Sequence, residues 1–174
     1  RILVPLDWSA LAADALGPAV DLARATGARI VLLQVVFPVP LVSVYDANLP
    51  IGYPLVITDD TATDKIIRAT RLQLDEFARR LQDETGVDAF ADVVGDSRVA
   101  DSIVRFAKSH DVDAIAMSTH GRGASRWVLG SVADKVLRGG ELPVLLHRPL
   151  GLADDASTSD GLAEGELSSL AHAD

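Results

Sequence analysis

The chain has 174 residues, 48% hydrophobic and 24% charged, enough for one domain with its own core and too few for two. A net charge of −9 argues against a nucleic-acid partner, because phosphate backbones are gripped by clustered Lys and Arg. The lack of cysteine excludes disulfides, thiolate metal sites and Cys nucleophiles.

In chain order, Ile2 to Leu6 is a short apolar run reaching Asp7, and predicts a first strand. Ser9 is placed to cap a helix with Leu11, Ala15, Ala19 and Leu22 on one face, and Gly27 to end it. Pro18 interrupts that pattern, and an interior proline costs a helix about 3 kcal/mol, so a kink or break is expected there. Arg29 to Phe37 predicts a second strand. Pro38 to Thr58 contains Pro38, Pro40, Pro50, Gly52 and Pro54 with Tyr45 and Tyr53, and predicts a long irregular excursion.

Helical spacing returns from Asp59 to Glu84 through Ile66, Ile67, Leu74, Phe77 and Leu81, and stops at Gly86. Val87 to Val94 predicts a third strand. Gly95 then turns the chain and Ser97 caps a helix that buries Val99, Ile103, Val104 and Phe106. Ala114 to Met117 predicts a fourth, central strand, Ser131 to Arg138 a short helix, and Leu142 to His147 a fifth strand. Aromatic residues make up only 5%, so the core is built from Val, Leu, Ile and Ala. Strands alternating with helical crossovers predict an α/β domain, a doubly wound five-stranded parallel sheet with helices on both faces.

The domain is expected to span 1–149, followed by an acidic, disordered tail over 150–174. Six acids and no Lys or Arg lie beyond Gly151, which leaves a net −3 for the remainder, a charge that tolerates a small anionic ligand. No signal-like segment and no run of 18 apolar residues is present, so no membrane partner is expected and the cytoplasm is the default location.

Ligands of open parallel sheets sit at the carboxyl ends of the strands, where the winding reverses. Two segments fall there: Pro5-Leu6-Asp7 after the first strand and Met117-Ser118-Thr119-His120-Gly121 after the fourth. Gly121 and Gly123 permit close backbone approach, and Gly130-Ser131 opens a helix whose free N–H groups favour phosphate. Arg122 and Arg126 supply nearby charge, or are plain solvated cations. Asp7 either accepts hydrogen bonds from a ribose or base, or caps the helix that follows. No metal-ligand spacing surrounds His120, and no Walker loop, dinucleotide fingerprint or G-x-S-x-G elbow occurs. No catalytic residue and no metal ligand is assigned.

The residues Ile2-Leu3-Val4-Pro5-Leu6-Asp7-x-Ser9, Leu32-Leu33-Gln34-Val35, Gly95-Asp96, Ser118-Thr119-His120-Gly121-Arg122, Gly130-Ser131-Val132-Ala133 and Pro143-Val144-Leu145-Leu146 together resemble the universal stress protein family over about residues 1–149. The resemblance implies an adenine nucleotide alpha hydrolase-like sheet of order 3-2-1-4-5. It also implies an ATP-binding, homodimeric protein of stress signalling, with magnesium as a possible companion and hydrolysis slow at most. Nucleotide contacts would fall on Pro5, Leu6, Asp7, Val35, Met117, Ser118, Gly121, Arg122, Gly130, Ser131, Val132 and Ala133. Pairing of two copies would run through the last strand, Pro143-Val144-Leu145-Leu146.

Nucleotide-binding members carry G-x2-G-x9-G-[ST]. Here Ser118 occupies the first glycine position, eight residues separate Gly121 from Gly130, and Trp8 replaces a customary glycine. These departures support the alternative of a member that binds no ATP and acts as an interaction dimer. A third class, a small hydrolase or electron-transfer domain, lacks the titratable pair or flavin site it would need.

Overall fold

The computed structural model describes residues 1–44, 55–119 and 130–148. The strands are β1 (Ile2–Pro5), β2 (Ile30–Val36), β3 (Pro40–Val44), β4 (Leu55–Thr58), β5 (Ala89–Gly95), β6 (Ala114–Ser118) and β7 (Val144–His147). The helices are α1 (Ala10–Ala13), α2 (Leu16–Thr26), α3 (Asp60–Thr85), α4 (Val99–Ser109) and α5 (Ser131–Gly139).

Five strands form one parallel sheet in the order β5-β2-β1-β6-β7. Numbered by appearance within that sheet, the order is 3-2-1-4-5, as the resemblance implies. Two cores follow from the period-two alternation of strands. Ile2, Val4, Ile30 and Leu32 point to one face and pack under Ala19, Ala23, Leu74 and Ala78 of α2 and α3. Leu3, Leu33, Ile115 and Met117 point to the other and pack under Ile103, Phe106, Ala133 and Val136 of α4 and α5. The largest fully buried side chains are all Leu, Ile or Val, as an aromatic-poor composition requires.

Helix boundaries obey local chemistry. The segment after Ser9 breaks at Asp14-Ala15, so Pro18 becomes the third residue of α2. A first-turn N–H has no intrahelical acceptor, and proline there forfeits nothing. Gly27 and Gly86 end α2 and α3 at φ 68° and 72°, where a Cβ is strained. Arg24 donates to the Thr85 carbonyl (2.7 Å from Nη2), satisfying the end of α3 from α2. Gly95 has a packing reason: a Cβ there would stand 3.1 Å from Ile67 Cδ1.

Three expectations are corrected. The excursion after β2 is not wholly irregular, because β3 and β4 pair antiparallel as a separate two-stranded sheet, with Val42 opposite Ile57. Proline-rich punctuation masked two short β-branched runs, and Pro40 is tolerated as the first residue of an edge strand. The hairpin base is tied to α3 by Asp59 N–H donating to the Val39 carbonyl and Val39 N–H to Thr63 Oγ1. Ile66 of α3 faces outward rather than into the core. Ser97 does not cap α4; Arg98 is the cap residue and makes no side-chain capping bond. Tyr45, Tyr53, the segment His120–Leu129 and the acidic stretch beyond Arg148 lie outside the described residues.

Asp96 braces the turn into α4 without capping its first-turn N–H groups. Its carboxylate accepts from Ser102 Oγ (2.7 Å), from the Arg98 N–H (2.9 Å) and from Arg105. The Ser102 hydroxyl, then the Arg98 N–H and the Arg105 guanidinium, hold its pKa well below the usual carboxylate range. A lowered folded-state pKa contributes stability that is complete above the unfolded value, roughly 3.9, and is lost as pH falls below it. The Asp96→Asn variant is therefore expected to unfold more easily than wild type at pH 7 and to lose less stability on acidification. Urea melts at pH 7 and below pH 4 check both parts.

Candidate functional site

The site begins where β1 ends. Leu6 N–H still bonds the Leu33 carbonyl (2.8 Å), after which the chain leaves the sheet at Asp7. Asp7 Oδ1 accepts from Ser9 N–H (3.0 Å) and Ser9 Oγ (2.5 Å), and Ser9 Oγ in turn accepts from Ala12 N–H (3.1 Å). Ser9 is thus the cap of α1, as its position predicts, and Asp7 orients that cap rather than serving as one. Asp7 is exposed, and its Oδ2 has no partner among the described residues.

Between them stands Trp8 at φ 61°, a left-handed conformation that costs a residue bearing Cβ about 1–2 kcal/mol. Its indole meets Phe77 of α3 edge to face, with ring centres 5.7 Å apart and planes at 75°. Such aromatic pairs contribute about 0.5–1.5 kcal/mol, comparable to the strain.

Winding reverses between β1 and β6, with Ile2 opposite Ala114 and Leu3 opposite Ile115. No crossover among the described residues covers the gap at their carboxyl ends, and a cleft of about 380 Å³ opens there. Of the twelve residues expected to contact a nucleotide, Pro5, Leu6, Asp7, Val35, Met117, Ser118, Gly130, Ser131, Val132 and Ala133 all line this cleft. Gly121 and Arg122 lie outside the described residues. Ser9, Leu11, Ala12, Leu33, Phe37, Val99 and Ile103 complete the wall and were not anticipated. Six of these sit on or beside elements whose sequence pattern is that of ordinary core or capping. Phe37 carried a usable signal, an aromatic just past a strand end, and is 65% exposed.

The walls are mainly apolar, from Leu33, Val35, Ile103 and Met117, while polar groups cluster at Asp7, Ser9, Ser118 and Gly130–Ser131. Helix α5 starts at Ser131, and its cap residue Gly130 makes no side-chain bond to the first turn. Among the described residues no side chain caps those N–H groups, and the positive end of the helix favours an anion. The first-turn acid Asp134 is engaged by Arg138 Nε at 2.8 Å. Ser118 Oγ is buried with no hydrogen-bond partner among the described residues. One cavity thus offers apolar walls for a flat ring, a carboxylate for hydroxyls and a helix terminus for an anion.

The two described histidines are not part of the cleft wall. His110 stacks on Phe106 at 3.9 Å with Nδ1 3.0 Å from the Phe106 carbonyl oxygen, and His147 ends β7. His120 and His172 are outside the described residues. No described helix is long and apolar enough to cross a membrane.

A model of the universal stress protein family matches residues 1–148. A universal stress protein of Methanocaldococcus jannaschii is 26% identical over 147 residues, which span 84% of this chain and 80% of that protein. A universal stress protein family member from Burkholderia pseudomallei has a similar solved structure, with a TM-score of 0.57 and 27% identity over 84% of this chain and 93% of that one. The universal stress protein from Archaeoglobus fulgidus, solved in complex with dAMP, gives a TM-score of 0.56 at 23% identity, covering 84% of this chain and 95% of that one.

Removing the Ser9 hydroxyl takes away the acceptor for Ala12 N–H in a helix that buries no residue of its own. Ser9→Ala is expected to cost about 1 kcal/mol, the usual worth of such a cap. Urea denaturation measures the loss, and faster hydrogen exchange at the Ala12 amide localises it.

Proposed function

The chain belongs to the universal stress protein family, and from that premise we propose that its cleft binds an adenine nucleotide, ATP foremost. The observation that carries the reading is the convergence of the ten described candidate residues on one cleft that is apolar at its walls and open to an anion at the start of α5. A base fits against Val35 and Met117, ribose hydroxyls against Asp7, and phosphates against the N–H groups of Gly130, Ser131 and Val132. The dAMP complex of the Archaeoglobus fulgidus relative supports the adenine class. The fit extends to magnesium only through the phosphates, with Ser131 offering a hydroxyl, as that ion commonly binds.

The role we assign is a nucleotide-governed stress-signalling switch, not an efficient hydrolase. Around Gly130–Ala133 the described cleft offers hydroxyls and amides but no side chain suited to activate water. A second reading, an interaction dimer that binds no ATP, draws on Ser118 at the first glycine position and the eight-residue spacer before Gly130. Titration calorimetry of ATP with magnesium into wild type and Gly130→Val separates the two. Micromolar binding that the branched side chain abolishes supports the nucleotide reading; silence from a folded wild-type protein replaces it with the second.

Pairing of two copies through β7 belongs to the same proposal. The Pro143 and His147 carbonyls accept from Ile115 and Thr119, so Val144 and Leu146, out of phase by one, present their backbone groups away from β6. Among the described residues that leaves an unpaired edge of the kind a second strand covers. Wild type is expected to sediment as a dimer and Val144→Pro as a monomer. A monomeric wild type would remove this part of the proposal.

A further inference from the structure

The rim of the cleft from Asp7 to Asp14 is thinly anchored. Helix α1 is one turn long and buries no residue; Leu11 and Ala12 line the cleft, and the small side chain of Ala12 also touches the α2–α3 core. Among the described residues, the large side chain of the stretch that reaches another element away from the cleft is the indole of Trp8, on Phe77. Phe77 is itself partly buried on the α2–α3 core, with the Arg80 guanidinium 5.9 Å from its ring centre. Trp8 is absent from the cleft wall, so it does not act by touching a ligand.

Its position in the chain gives it leverage. Trp8 is the middle residue of the loop closed by Asp7 Oδ1 and Ser9 N–H, and its φ of 61° fixes where that carboxylate stands relative to Ser9. Rotation of Trp8 to an ordinary negative φ would open the loop, swing Asp7 away from the cleft and release the Ser9 cap. A tryptophan has no intrinsic preference for the left-handed region, so the conformation is held from outside, by the ring contact with α3.

We propose that Trp8 is a positioning residue: clamped on Phe77, it holds Asp7 and the α1 rim in the arrangement that receives the ligand. The proposal rests on the nucleotide reading of the cleft and adds that affinity is set in part from α3, on the side of the sheet remote from α5.

The test uses the full chain with two measurements. Hydrogen exchange without ligand is compared at the Ser9 and Ala12 amides in wild type, Trp8→Gly, Trp8→Phe and Phe77→Ala. ATP with magnesium is then titrated into the same proteins and into the Trp8→Gly/Phe77→Ala double variant. Glycine accepts the left-handed backbone without strain, so the fold is retained while the clamp is lost. Trp8→Gly and Phe77→Ala should each quicken exchange at both amides. Each should also weaken ATP binding by roughly 5- to 10-fold, the order expected when a preorganised loop is set free.

Trp8→Phe should stay within about two-fold of wild type, because a ring edge is kept. The double variant should be no weaker than either single one, because both cut the same link. Unchanged exchange in Trp8→Gly, undiminished ATP affinity, or additive losses in the double variant would each overturn the proposal. A wild-type chain that binds no ATP would overturn the nucleotide reading instead, and amide exchange would still judge the clamp.

Discussion

Everything in this molecule depends on the parallel pairing of β1 with β6. The chain first winds leftward from β1 through β2 to β5, with α2 and α3 on one face. It then returns to the far side of β1 and winds on to β7, with α4 and α5 on the other face. Right-handed crossovers admit no other distribution of the helices. The two crossovers leaving β1 and β6 therefore diverge to opposite faces, and the space between their first turns cannot be filled by either. The cleft is a result of topology before it is a result of any side chain, and sequence chooses only what furnishes it.

That furnishing is divided by chemical character. Strand ends contribute apolar side chains because both faces of the sheet are already core, so Leu33, Val35 and Met117 continue that character to the edge of the gap. Polar groups come from the residues just past the strands, where the backbone leaves the ladder and needs new partners. Asp7 and Ser9 satisfy each other there, and Gly130 leaves the start of α5 bare. An apolar slot bordered by a carboxylate and a helix terminus is thus the natural outcome of ending two central strands side by side.

Much of this was legible in the chain itself. Four of the five main strands are largely apolar runs and β5 alternates buried and outward positions, while Gly27 and Gly86 mark helix ends that no other residue would take comfortably. The Asp7 and Ser131 neighbourhoods could be placed together because parallel sheets put all their carboxyl ends at one edge. The hairpin of β3 and β4 was hidden by its prolines, since a pair of short edge strands obeys weaker compositional rules than a buried strand. The start of α4 was misjudged because Ser97 is a good capping type, whereas the cap residue is Arg98 and the carboxylate that braces this turn is Asp96, held by Ser102 and Arg105. Leu11, Val99 and Ile103 could not have been assigned to the cleft, since helix periodicity reports which face is apolar and is silent on whether a neighbour covers it. The conformation of Trp8 was equally beyond reach, because a positive φ at tryptophan is imposed by tertiary contact.

The central place of β1 has a further consequence, for synthesis. Of the five strands of this sheet, the first to be synthesised is the middle one, paired to β2 on one side and to β6 on the other. Residues 2–95 can assemble half the sheet with α2 and α3, but the opposite edge of β1 and the far apolar face stay exposed until Ala114–Ser118 arrives. At elongation rates of about 5–20 residues per second, that interval lasts on the order of seconds or less. The fold that opens a cleft by reversing its winding therefore also ties the completion of its central strand to a segment made more than a hundred residues later.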